Sequence, residues 1–120
     1  MAKVLLVSYI TELLHEREQV MRSAGYEVTA ALTWEAATNA IQQQLYDVAV
    51  LGFSVPEAQR TQLASDLKEL NPAIKILMIY FEAVPSTRLA DALIPTSAGP
   101  EEILRAVHHL LNECRREKTG

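Results

Sequence analysis

The sequence predicts an α/β three-layer sandwich, a parallel sheet covered by helices on both faces, and three observations carry this. Apolar runs recur at Val4-Leu5-Leu6-Val7, Val48-Ala49-Val50-Leu51 and Ile76-Leu77-Met78-Ile79, and none alternates with polar residues, so they suit strands buried on both sides. Between them lie segments with apolar residues at helical spacing. The chain has 120 residues, 49% hydrophobic and 22% charged, which fits a single domain over residues 1–120 that buries about two thirds of its unfolded surface.

The first run opens the chain as a strand. After it, Ile10, Leu13, Leu14, Val20, Met21 and Ala24 recur at helical spacing and Gly25 follows, a residue that can take the left-handed conformation ending a helix. A helix over residues 11–24 is predicted. Residues 26–31 favour a short strand. Thr33 then suits the N-cap of a helix with Ala37, Ala40, Ile41 and Leu45 on one side. Past the second run, Pro56 suits the first turn of a helix whose stripe is Leu63, Ala64, Leu67 and Leu70, and Asn71-Pro72 ends it. The last helix starts at Gly99-Pro100-Glu101-Glu102, with proline at its first position and two acids against the positive end of the helix dipole. Its stripe is Ile103, Leu104, Val107, Leu111 and Cys114, and Arg115, Arg116 and Lys118 complement its negative end.

Residues 81–95 must hold a loop, a helix and a strand, yet they include Pro85 and Pro95. If the strand is 92–94, residues 86–91 leave under two turns of helix at about 3.6 residues per turn. A short or distorted fourth helix is expected. The alternation of strands and helices then gives five βα units with right-handed crossovers.

Composition removes several classes of function. Eleven Lys and Arg against 15 Asp and Glu leave a net charge of −4, which opposes contact with a polyanionic backbone; no nucleic-acid binding by the domain itself is expected. The single cysteine, Cys114, can form no internal disulfide, the apolar start is too short for a signal peptide, and no run approaches a membrane span. A cytoplasmic protein without membrane contact is expected.

In an open parallel sheet, chemistry collects at the carboxyl ends of the strands. Here those ends are Ser8-Tyr9-Ile10, Gly52-Phe53-Ser54, Tyr80-Phe81-Glu82 and Thr96-Ser97. They hold one carboxylate, Glu82, and no basic residue or cysteine. Mg²⁺ usually takes one or two carboxylates, so a lone Glu82 makes a poor site, and no metal or other cofactor is expected.

Several pieces in fixed order carry a resemblance over nearly the whole chain. They are Lys3-Val4-Leu5-Leu6-Val7, Ala24-Gly25-Tyr26-Glu27-Val28, Glu35-Ala36-Ala37 before Ile41, and Tyr46-Asp47-Val48-Ala49-Val50-Leu51 followed by Pro56. Asn71-Pro72-Ala73-Ile74-Lys75-Ile76 and Pro100-Glu101-Glu102-Ile103 complete the set. With them the chain resembles the receiver domain of bacterial two-component response regulators, which implies a flavodoxin-like fold with strand order 2-1-3-4-5. The resemblance places the Mg²⁺-holding acidic pair on Ser8 and Tyr9, the phosphoaccepting aspartate on Gly52, the switch Ser or Thr on Tyr80, and the lysine of a Lys-Pro pair on Thr96, with Ser97 in place of proline. All five positions depart. With no carboxylate at 52 there is no nucleophile for a phosphoryl group, and nothing to neutralise one.

The expectation is therefore a degenerate receiver, not an enzyme, that acts as a phosphorylation-independent interaction module for other signalling proteins or an output domain, with homodimerisation as a further expectation. The face implied by the resemblance, made by the fourth helix, fifth strand and fifth helix, carries Arg88, Leu89 and His108. Two alternatives come from other classes: phosphorylation at a displaced acid, and a small-ligand or flavin module using the hydroxyls of Ser8, Thr11, Ser54 and Thr96. Asp47 lies about 16 Å from the site at 3.3 Å per residue and reads as a hydrated surface acid. A trans Thr96-Ser97 bond is expected, because a cis bond there costs about 2.5–4 kcal/mol.

Other residues read as structural. His108, His109 and Cys114 lack metal-ligand spacing, and His15 sits among Glu12, Glu16 and Glu18 on a solvated face. Trp34 packs at the sheet edge or meets a partner. Tyr9, Phe53, Tyr80 and Phe81 fill the former acidic edge or form an aromatic contact surface.

Overall fold

The computed structural model describes residues 2–81 and 88–119, with side chains of the last helix as far as Glu113. Among the described residues nine elements follow in order: β1 (Lys3–Val7), α1 (Thr11–Ser23), β2 (Glu27–Ala31), α2 (Trp34–Gln43), β3 (Val48–Leu51), α3 (Glu57–Leu70), β4 (Lys75–Tyr80), β5 (Ala92–Pro95) and α4 (Pro100–Thr119). The strands form one parallel sheet in the order β2-β1-β3-β4-β5. This is the flavodoxin-like arrangement.

Strand pleating sorts the apolar runs into two cores. Leu5, Val7, Ala49, Leu51, Ile76 and Met78 point toward α2 and α3, whereas Val4, Leu6, Val48, Val50, Leu77 and Ile79 point toward α1 and α4. Every residue of β3 is buried, which requires the unbroken apolar sequence Val-Ala-Val-Leu.

Local signals fix the element ends. Gly25 ends α1 with φ 94°, a conformation open to glycine without a Cβ penalty. The Thr33 hydroxyl accepts from the Ala36 N–H at 3.1 Å and caps α2. Pro56 sits just ahead of α3, at its N-cap, and Asn71 closes that helix while its side-chain amide donates to Tyr46 O at 2.9 Å.

Two expectations change. Residues 88–91 form bends and no helix, because Asp91 is engaged in the sheet, its carboxylate accepting from the Ile76 N–H at 2.7 Å and its own N–H donating to Ile76 O at 2.8 Å. The rest of the expected short fourth helix, residues 86 and 87, lies outside the described residues, as does Glu82. In α4 the buried stripe is Ile103, Val107 and Leu110, with Leu111 half-buried. Cys114 and the Arg115, Arg116 and Lys118 cluster lie outside the described side chains.

Candidate functional site

Parallel pairing of Val7 with Leu51 brings the loops after β1 and β3 side by side at the carboxyl edge. Ser8 is fully buried. Its hydroxyl accepts from the Ile10 N–H at 3.3 Å and lies 3.4 Å from the Ser54 hydroxyl, which accepts from the Tyr9 N–H at 2.9 Å. Neutral serine hydroxyls thus join the two loops. The Tyr9 ring packs over the α2–α3 core and its hydroxyl donates to Gln59 Oε1 at 2.7 Å. Burial, with the Glu35 carboxylate second, pushes the Tyr9 phenol up from its ordinary value.

Gly52 is buried, and its N–H donates to Val7 O at 2.9 Å. A Cβ there would stand 3.1 Å from Val7 O, 3.3 Å from Arg17 Nη1 and 3.4 Å from Ser8 Cβ. A side chain there fits only if these neighbours give by a few tenths of an ångström. At the other side of the edge, Thr96 N–H donates to Tyr80 O at 2.7 Å, and the Thr96–Ser97 peptide is trans. Ser8, Tyr9, Gly52, Tyr80 and Thr96 therefore lie along one edge of the sheet, at the ends of β1, β3, β4 and β5.

The segments at the strand ends hold no basic residue, but two arginines reach this edge from the helices. Arg17 is 4% exposed and belongs to the buried stripe of α1 with Leu14 and Met21. Side chains on a helix lean toward its amino end, so a long residue two turns into α1 reaches back to the carboxyl edge, where Nη1 meets Gly52. Among the described residues that nitrogen has no hydrogen-bond partner. Burial pulls the Arg17 guanidinium below its ordinary range, against the neighbouring Glu16 carboxylate. Arg60, in the first turn of α3, donates from Nη1 to Ile79 O at 3.1 Å, and its Nε is buried without a partner among the described residues. The signal for Arg17 was available in the sequence: position 17 is three residues after Leu14 and four before Met21, on the face that packs inward.

Other candidates are dispersed. Asp47 is half-buried at the opposite end of the sheet, at the entrance of β3 as expected, and its carboxylate also accepts from the Lys3 N–H at 2.8 Å. Arg88 is exposed and Leu89 packs against the α2–α3 core. His108 is on the other side of the sheet, with Nδ1 2.8 Å from the Tyr26 hydroxyl. The three candidate interface residues do not form one contact. His109 pairs with Glu113 at 3.0 Å when protonated, His15 with Gln19, and Trp34 is half-buried against the α2–α3 core. Phe53 and Phe81 stack with centroids 5.6 Å apart, and Phe81 is exposed. Among the described residues no three His, Cys, Asp or Glu side chains come together to hold a metal ion, and no helix is long and apolar enough to cross a membrane.

Solved structures resemble this arrangement along its full length. A receiver domain protein of Methanospirillum hungatei superposes with a TM-score of 0.84 at 25% identity, covering 98% of each chain. The chain has the fold of a response regulator receiver domain. Among further receiver-fold neighbours, the chemotaxis response regulator CheY4 of Vibrio cholerae has a TM-score of 0.78 at 22% identity, over 92% of this chain and 98% of that one. NtrX of Brucella abortus matches over 98% of this chain but only 28% of its own, with a TM-score of 0.81 at 16% identity. No protein-family model matches the chain, and no curated protein does.

Proposed function

We propose that this domain is a receiver of two-component signalling that works without phosphoryl chemistry, by binding other signalling proteins or an output domain. The carrying observation is at the end of β3, where Gly52 supplies no carboxylate and a buried arginine stands against it. A phosphoryl acceptor there would need an oxygen nucleophile and a cation to offset the incoming charge. The hydroxyls of Ser8 and Ser54 at this edge are tied into the loop contact. On this reading the domain is not an enzyme, requires no metal, acts in the cytoplasm and binds no nucleic acid by itself. Its state is set by which partner it holds. The low share of NtrX that the chain matches supports an output domain as one class of partner, because there a receiver-like fold is part of a longer protein.

Incubation with Mg²⁺ and a small phosphodonor, read by intact mass, tests this. No phosphoryl adduct is expected; a gain of one phosphoryl group, lost on mutating an acidic residue, overturns the proposal.

A further inference from the structure

We propose that the chain self-associates head to tail, the acidic end of the α2–α3 face of one copy seated in a cationic groove between α1 and α4 of the next. Neither surface includes the carboxyl edge, so this contact is independent of the reading of Gly52. The groove has a volume of about 490 Å³ and lies where the end of α1 meets α4. Ala24, Tyr26, Leu104 and Leu111 give it apolar walls, and the two leucines are only half-buried. The Tyr26 hydroxyl, 2.8 Å from His108 Nδ1, ties one wall to the other. Its charged lining is Arg105 with the titratable His108 and His109, and no acid among the described residues lines it. Arg105 is exposed and forms no ion pair among the described residues, while Glu113 pairs with protonated His109 and Glu101 lines a neighbouring hollow.

The other side of the sheet carries the complement. Leu45 and Leu70 are large apolar residues left 58% and 51% exposed, and both line a hollow over the buried Ile41 where α2 and α3 end. Asp66 and Glu69 line the adjoining hollow, which shares Ile41 and Leu70. No Lys or Arg occurs in α2, and Lys68 of α3 is turned to Asp91 and Ile74 O, so no described cation pairs with either acid. Exposed leucines flanked by acids match an apolar groove flanked by a guanidinium. A second copy of this chain supplies that combination. Charge sign also sets the symmetry of the contact. Either face meeting itself would bring Arg105 against Arg105, or Asp66 and Glu69 against their own copies, and like charges across an interface are unfavourable. A heterologous contact opposes unlike charges, and because the two faces lie on opposite sides of the sheet it repeats from copy to copy.

Sedimentation equilibrium of the whole protein tests this. The weight-average mass should climb between ~10 µM and ~1 mM and pass that of two chains, as a small interface with a Kd on the order of 0.1 mM requires. Leu45→Ser with Leu70→Ser strips the apolar part of the acidic face, and Arg105→Glu reverses the charge of the groove; all three positions are exposed. Each variant alone should remain a monomer. Their equimolar mixture should form a dimer and nothing larger, because one intact groove then meets one intact acidic face. Should the serine variant fail to fold, Glu69→Arg takes its place: alone it should be monomeric, and combined in one chain with Arg105→Glu it should associate again. A parent that is monomeric throughout or stops at a dimer, association that survives either variant, or a mixture or charge exchange that restores nothing overturns the proposal. A phosphodonor adduct by mass would instead sink the reading of Gly52 and leave these surfaces as they are, so the two failures are distinguishable.

Discussion

Arg17 is one of only two buried polar or charged residues among those described, with Ser8, and the two meet at the same edge. Removing an unpaired buried charge and filling its space with an apolar chain of similar length should stabilise the fold. Arg17→Met is expected to raise the unfolding free energy by about 1–3 kcal/mol, measured by urea denaturation. Gly52→Asp has a different outcome. Its carboxylate would lie beside the Arg17 guanidinium, which stands 3.3 Å from the new Cβ position, so the acid is neutralised by an internal cation. No phosphoryl adduct is expected from this variant either, by the same intact-mass measurement. Tyr9 sets an alkaline limit. Its folded-state pKa is raised by burial and by Glu35 above the ordinary 10.0, so the folded state favours the neutral phenol. That contribution is complete below pH about 10 and is lost as pH rises through the folded value. Tyr9→Phe should therefore lose less stability than the parent as pH rises above ~10, although it starts about 1 kcal/mol lower for the missing bond to Gln59.

At the scale of elements, the strands and most helix ends can be read directly because each rests on a local rule. Thr33 caps α2 with its own hydroxyl, and Thr33→Ala is expected to cost about 1 kcal/mol, checked by the denaturation midpoint. The runs at β1, β3 and β4 are apolar on both sides because both cores need them. The place of Ser8, Tyr9, Gly52, Tyr80 and Thr96 was equally legible, since each falls at a strand end. Arg17 was not. A charged residue between Glu16 and Glu18 looks like part of a solvated face, and only the Leu14–Met21 register assigns it inward. Its length then lets it act at a loop that no local pattern connects to it. Asp91 escaped for a related reason: its carboxylate substitutes for a backbone acceptor beside β4 and also pairs with Lys68 at 3.0 Å, a tertiary use that neither propensity nor periodicity encodes. The α4 stripe is wider than expected, since Leu110 is buried while Leu104 and Leu111, half-buried, pack against the same core.

For the molecule as a whole, the scaffold and the site make separate demands. The sheet order, two-sided core and helix placement are those of the receiver fold, while the edge has a neutral loop contact and an internal cation. If fold and chemistry are separable in this way, the activity implied by the resemblance can be rebuilt only when the whole electrostatic arrangement is exchanged. Ser8→Asp, Tyr9→Asp, Gly52→Asp and Thr96→Lys together put three carboxylates on the edge, and like charges that close repel unless a cation sits among them. With Arg17 retained, its guanidinium supplies part of that charge and stands where a metal must enter. The fourfold variant is thus expected to bind Mg²⁺ weakly and take up no phosphoryl group. Adding Arg17→Val removes the competing cation, and this fivefold variant should bind Mg²⁺ at least ten-fold more tightly by titration calorimetry, the equivalent of about 1.4 kcal/mol, and gain a phosphoryl adduct by mass. Equal Mg²⁺ affinity in the two variants would mean that Arg17 does not occupy the metal's place.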